Sequence, residues 1–286
     1  MPIALPPDAG LGKRGCLFPR LRNSLALSRL AESLKTDTPA SLRAIRAMVI
    51  TIGEIHYTAC GNLLHSVQTG SPAFNTMFGT SLFAYLQQNA TAADAFNQGM
   101  TNVSSMLAYA ILTAYNVVGI SSIVDVGGGE GTLLRKILDL NPEMVGAVLD
   151  MPVTIETVNQ KLNGKTRGGR CAYIAGDFFD SVPVGADEYL LCGVIHDWDD
   201  DQAAAILRNC RQAMARTGRV LLVDMVVPEN GAKCLSKLLD LNMLVMNGGR
   251  QRTKAEFCAL LGSAGFKFTR IIPTMAPQSI IEAVPK

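Results

Sequence analysis

Ile123-Val124-Asp125-Val126-Gly127-Gly128-Gly129-Glu130-Gly131 is the stretch on which the reading of this chain turns. Ile123, Val124 and Val126 are strand formers in a short apolar run, and a helical pattern follows from Thr132 to Leu140. Between them, glycines at 127, 129 and 131 let the backbone turn tightly and approach a ligand, since no Cβ stands in the way. The free N–H groups of the following helix then point at that ligand. Such a strand–glycine loop–helix unit predicts a site for a nucleotide-like cofactor.

Spacing narrows the choice. The dinucleotide fingerprint is Gly-x-Gly-x-x-Gly. Here the pattern is Gly127-x-Gly129-x-Gly131, and the acid Asp125 lies in the strand just before the turn. A carboxylate there repels a pyrophosphate, which disfavours an NAD-dependent dehydrogenase. It suits a cofactor carrying an amine and a sulfonium, such as S-adenosylmethionine. A second strand, 144–149, ends in Asp150, where a carboxylate can take both ribose hydroxyls. The plainer alternative is an ordinary strand–helix turn with Asp150 capping the next helix. It loses weight because Asp125, the loop and Asp150 occur together.

The 286 residues allow one large domain or two smaller ones. Charged residues make up 17% of the chain, below the usual share of about 25%, which favours extensive burial, including at a subunit interface. A net charge of +2 with scattered Lys and Arg argues against a nucleic-acid surface. The seven cysteines are odd in number and form no Cys-x-x-Cys pair, which argues against both a disulfide framework and a zinc site. A reducing cytoplasm is the expected setting, with no metal. No apolar run reaches the roughly 18 residues that span a bilayer, and no secretory signal is recognisable.

Residues 1–38 read as an irregular leader broken by prolines and glycines, with helical spacing only over 24–34. A helix start is expected at Thr38-Pro39-Ala40-Ser41, with helical patterning to about residue 67. Short helices are predicted over 81–88 and 92–101, and a longer one to about Tyr115. From residue 121 strands and helices alternate. Strands are predicted near 121–126, 145–149, 171–175, 187–194, 219–227, 266–272 and 278–284. Helices fall near 130–140, 152–162, 200–215, 234–247 and 253–264. This is the pattern of an α/β fold: a doubly wound, mostly parallel sheet with helices on both faces and an antiparallel terminal pair at one edge. The expected division is a leader over 1–38, an all-α region over 39–117 and an α/β domain over 118–286.

Ligands of open α/β sheets bind beyond the carboxyl ends of the strands. After the third strand, Asp177 can bond an adenine amine and Phe178 can cover its ring; a turn acid with core phenylalanines is the plainer alternative. After the fourth strand comes His196, placed to serve as a general base near neutral pH. Asp224 lies inside the apolar run 220–227, and a buried acid needs a partner. The His196 imidazole is one candidate; backbone or a lysine is another. His56 and His65 read as structural or pocket-lining.

Taken in order, several stretches resemble the S-adenosylmethionine-dependent O-methyltransferases of the plant and bacterial small-molecule type, such as caffeate, acetylserotonin, hydroxyneurosporene and anthracycline methyltransferases. They are Val124 to Gly131, Leu149-Asp150-Met151-Pro152, Gly176-Asp177-Phe178-Phe179, His196-Asp197-Trp198, and Gly248-Gly249-Arg250-Gln251-Arg252-Thr253 with Glu256-Phe257 and Ala264-Gly265-Phe266. The resemblance spans roughly residues 38–286.

It implies a Rossmann-like class I methyltransferase sheet preceded by a shortened helical dimerisation domain. Asp125, Gly127, Gly129, Gly131, Asp150, Met151, Asp177 and Phe178 match the cofactor site, His196 the catalytic base, and Met243 and Asn247 the acceptor pocket. Asp224 matches one acid that flanks the base. Gln251 stands where many members carry a second; an amide can orient imidazole but not stabilise imidazolium as a carboxylate does. Relatives usually carry a longer winged-helix region that interlocks two subunits, so a homodimer is expected, acting on a small hydroxylated acceptor. The alternative is a member that binds S-adenosylmethionine without methyl transfer, through repurposed chemistry or as a weak binding subunit. His196 favours methyl transfer.

Overall fold

The computed structural model describes residues 17–20, 24–27, 44–117, 119–162 and 169–286. At the amino end β1 (Leu17–Arg20) and β2 (Ser24–Leu27) pair antiparallel, with Leu17 opposite Leu27. The leader is therefore not wholly irregular, and the helical spacing read from Ser24 is overridden by a cross-strand ladder. The helix start expected at Thr38–Ser41 lies outside the described residues.

The first helices form a layer of their own. α1 (Ala44–Thr51) runs through a π-helical turn, Ile52–His56, into α2 (Tyr57–Cys60). α3 (Leu63–Thr69), α4 (Ala73–Phe78) and α5 (Leu82–Gln88) follow. The two helices expected over 92–115 are one, the 25-residue α6 (Ala90–Ala114). Gly99 in its middle is a weak helix former. It is buried where α1 crosses, 3.6 Å from the Met48 backbone at its Cβ position, and that close packing carries the helix through. Ile55, Phe74, Leu82 and Leu86 pack with Val245 and Met246 of a later helix, which joins this layer to the α/β part.

The central sheet has seven strands: β3 (Ser122–Val126), β4 (Val145–Asp150), β5 (Cys171–Ala175), β6 (Glu188–Cys192), β7 (Arg219–Asp224), β10 (Phe266–Pro273) and β11 (Ser279–Pro285), in the order β10-β11-β7-β6-β3-β4-β5. β5, β4, β3, β6 and β7 are parallel; β11 and β10 are antiparallel at the edge, as the missing helix between them predicts. Helices α7 (Thr132–Leu140), α8 (Pro152–Leu162), α9 (Asp200–Ala213), α10 (Leu235–Met246) and α11 (Lys254–Ser263) lie between strands. The strands are near-continuous apolar runs because both faces are covered: Ile123, Val124, Val126, Tyr189 to Leu191 and Val220 to Val223 are all buried.

The strand expected over 219–227 is split. Beyond β7 the chain leaves the sheet at Met225, and β8 (Val226–Val227) pairs instead with β9 (Arg252–Thr253). This small ribbon ties the segment 248–252 to the end of β7. The chain reverses its direction of travel across the sheet between β3 and β6, so a crevice opens at their carboxyl ends, the usual ligand position in this architecture.

Candidate active site

Gly127, Gly129 and Gly131 all have positive φ, at 70°, 59° and 69°. Gly127 shows how tightly the strand-end loops converge: a Cβ there would lie 2.9 Å from Val194 after β6 and 3.5 Å from Phe178 after β5. The closest approach is at Gly128, where a Cβ would sit 2.5 Å from the Asp125 carboxyl carbon. Asp125 is thus packed directly under the loop.

Asp125 is 1% exposed, and neither carboxylate oxygen has a hydrogen-bond partner. Burial, reinforced by the nearby Asp150 charge, pushes it up to about 7. Asp150 sits at the tip of β4, with Oδ2 accepting from Gly129 N at 2.7 Å and Oδ1 from Met151 N at 2.8 Å. Burial raises Asp150, and these two backbone bonds work against the rise. Asp177 is exposed, and its Oδ1 accepts from Phe179 N at 2.8 Å, closing its own turn. Phe178 and Phe179 meet Trp198 edge-on, and Phe83 of α5 stacks on Trp198 at 5.6 Å, so the helical layer covers this rim.

His196 lies in a 3-10 turn, Ile195–Asp197, just past β6. Its Nδ1 is hydrogen-bonded to Asp224 Oδ1 at the end of β7, so the imidazole is the partner that this buried acid required. Its Nε2 is 3.6 Å from Asp197 Oδ1. Burial lowers the proton affinity of the ring, but the charges of Asp224 and then Asp197 outweigh it and raise His196 to about 9. Asp197 is held by Asn247 Nδ2 at 2.7 Å, and Asn247 Oδ1 accepts from Gly249 N at 3.1 Å. Met243 is buried one turn earlier on α10.

Gln251 departs from its expected contact. Its side chain is buried, but its amide has no hydrogen-bond partner, and the bond to imidazole is not made. The segment docks through backbone instead, with Gln251 N donating to Asp240 Oδ1 at 2.8 Å. His56 reads as structural: its Nδ1 lies 3.2 Å from Asn242 Oδ1, and burial lowers its proton affinity. His65 bonds Thr76 at 3.0 Å. Among the described residues no group of three or more His, Cys, Asp and Glu could hold a metal ion, and no helix is long and apolar enough to cross a membrane.

The family model of the O-methyltransferase domain matches residues 61–267. The chain belongs to the S-adenosylmethionine-dependent O-methyltransferases. It is 39% identical over 259 residues to a phenazine O-methyltransferase of Lysobacter antibioticus, covering 91% of this chain and 75% of that one. The solved structure of LaPhzM superposes with a TM-score of 0.90 at 37% identity, covering 96% of this chain and 82% of that one. An O-methyltransferase from neocarzinostatin biosynthesis, in complex with S-adenosyl-L-homocysteine and 1,4-dihydroxy-2-naphthoic acid, superposes with a TM-score of 0.83 at 30% identity, over 96% and 83% of the two chains.

The methyltransferase's cofactor is S-adenosylmethionine, and the crevice has the chemistry to receive it. Two carboxylates, one wholly without partners, border a glycine cradle that a Cβ would fill. Sequence reasoning missed Arg252, whose guanidinium is wholly buried behind the His196 turn. Its place in Gly249-Arg250-Gln251-Arg252-Thr253 was visible; that it would turn inward toward backbone carbonyls was not. Asp197 was also passed over, although it adjoins His196 in the motif.

Proposed function

We propose that this methyltransferase transfers a methyl group to a hydroxyl of an aromatic or polyketide-like small molecule, with His196 as general base. The observation that carries the reading is the His196–Asp224 pair at the carboxyl ends of β6 and β7, beside the glycine loop. The relatives named above, which act on a phenazine or bind a dihydroxynaphthoate, support that acceptor class.

S-adenosylmethionine supplies an electrophilic methyl group on a sulfonium. Asp125 and the loop at Gly127, Gly129 and Gly131 would hold its positively charged methionine end, where an unpartnered carboxylate gains a cationic partner. Asp150 and Met151 would hold the ribose, and Asp177 and Phe178 the adenine. His196 takes the acceptor's hydroxyl proton at Nε2. Asp224 fixes the ring through Nδ1 and stabilises the imidazolium. Met243 and Asn247 line the acceptor side, and Gln251 acts through the loop that carries it. Much of the acceleration comes from holding the oxygen in near-attack geometry.

We also infer a homodimer. Tyr57, Leu64 and Val67 on α2 and α3 and Leu235 and Leu238 on the adjacent α10 are exposed, an apolar set that a second copy would bury. The cysteines at 60, 171, 192, 210, 234 and 258 are not joined in disulfides among the described residues, which is consistent with a reducing cytoplasm.

The test is His196→Ala, assayed with a panel of phenols and dihydroxynaphthoates. S-adenosylhomocysteine affinity should persist while turnover falls about 10²–10⁴-fold. Near-full activity in that variant would remove His196 from the mechanism. A monomeric mass in solution would remove the dimer.

A further inference from the structure

We propose that Arg252 is a positioning residue for the reaction: its buried guanidinium fixes the turn that carries His196. The inference rests on His196 being the base.

Arg252 is 0% exposed, although a charged side chain is seldom wholly buried without a paired and fully bonded site. Its bonds account for the burial. Nη1 donates to Ile195 O at 3.0 Å and Nη2 to Trp198 O at 3.0 Å. These carbonyls lie on either side of His196 and Asp197. Nε donates to Asp200 Oδ1 at 2.9 Å, anchoring the same fork to the first residue of α9. Between the two bracketed carbonyls, His196 O accepts from Arg250 N at 2.9 Å. A Cβ on Gly249 would lie 2.0 Å from His196 O, so the docking is direct backbone against backbone.

The arrangement leaves the catalytic turn little freedom. Three of the four carbonyls from Ile195 to Trp198 are held by donors from residues 250–252. That segment is pinned to β8 by the β8–β9 ribbon and to α10 through Gln251 N and Asp240. α10 carries Met243 and is capped by Asn247, so the base and the acceptor wall share one frame. A displacement of about 1 Å at a reacting group can cost about 10²-fold in rate, and this frame suppresses such displacements. The charged groups facing His196 are Asp224 from β7, Asp197 from its own turn and Arg252 from β9. The two carboxylates favour the protonated ring, and Arg252 opposes them.

The test uses Arg252→Lys and Arg252→Met in the full chain, beside His196→Ala. Lysine keeps the charge but cannot present a planar fork to two carbonyls and a carboxylate. Arg252→Lys should bind S-adenosylhomocysteine as the parent does, keep its KM for S-adenosylmethionine and lose about 10–10²-fold in kcat per binding site. Arg252→Met removes the opposing charge, so the acidic limb of its kcat/KM profile should move to higher pH. A residue that only stabilises the fold would lower the yield of binding sites and leave both readouts unchanged. Parent-level kcat per site in Arg252→Lys overturns the proposal, and that variant decides alone if Arg252→Met does not fold. Turnover surviving in His196→Ala overturns the base, and this inference with it, and is a different result from a dead His196→Ala beside a fully active Arg252→Lys.

Discussion

Asp224 bonds His196 through one carboxylate oxygen only; the other, Oδ2, is buried and has no partner. No second donor competes for the charge, so it acts on the imidazole at full strength. Together with Asp197 it overcomes the effect of burial and holds His196 at about 9. A base must be neutral to accept a proton. Log kcat/KM at saturating cofactor should therefore rise with unit slope through neutral pH and level off only near 9. A steady-state pH profile on any accepted phenol checks this, and a profile already flat from neutrality would contradict it.

Replacing Asp224 with Asn separates charge from shape. The isosteric amide keeps a partner at Nδ1 but removes the carboxylate that raises the ring. The acidic limb should move to lower pH, while kcat falls about 10²–10⁴-fold because the imidazolium loses its stabilising charge. A variant with the parent's limb would show that Asp197 alone sets the basicity of the ring.

The parts of the site that could be read ahead of the structure are those set by one residue in one short segment. Asp125, the glycines and Asp150 are fixed by the strand that each one ends, and the apolar runs of the α/β part report their own burial. Asp224 stood out because an acid inside an apolar strand is costly. What escaped was set by partners distant in the chain. Nothing near Ser24 shows that Leu17–Arg20 pairs with it, and nothing near Gly99 shows that α1 crosses there. Gln251 looked like a flanking group because of its place in the motif, yet its amide finds no partner and its backbone does the docking. Arg252 shows the converse: an ordinary surface residue by composition, buried because carbonyls 54–57 positions away receive it.

Asp150 gives a binding prediction independent of the base. In Asp150→Ala two oxygens are lost that now receive Gly129 N and Met151 N, and with them the candidate ribose contacts. Two hydrogen bonds to a carboxylate imply about 2–4 kcal/mol, or roughly 30- to 1,000-fold in affinity for S-adenosylhomocysteine. Calorimetric titration reads this directly. Parent-like affinity would take Asp150 out of the cofactor site.

The opposite end of the sheet should govern stability at alkaline pH. Glu188 opens β6 with 0% exposure; Tyr115 Oη donates to its Oε2 at 3.2 Å, while Oε1 is buried without a partner. Burial raises it to about 7 from its ordinary 4.5. A carboxyl group raised in the folded state binds its proton more tightly there than in the unfolded chain. Its stabilising contribution is therefore complete below 4.5 and is lost as pH rises through about 7. Asp125 titrates in the same direction, so the comparison must be between parent and variant at each pH rather than across pH alone. Glu188→Gln mimics the protonated group and cannot ionise. Urea unfolding should find it close to the parent at pH 5 and more stable at pH 8 by about 1–3 kcal/mol. An equal difference at both pH values would mean that Arg219, which reaches Tyr115 Oη at 3.3 Å, already neutralises the ionised carboxylate through the shared hydroxyl.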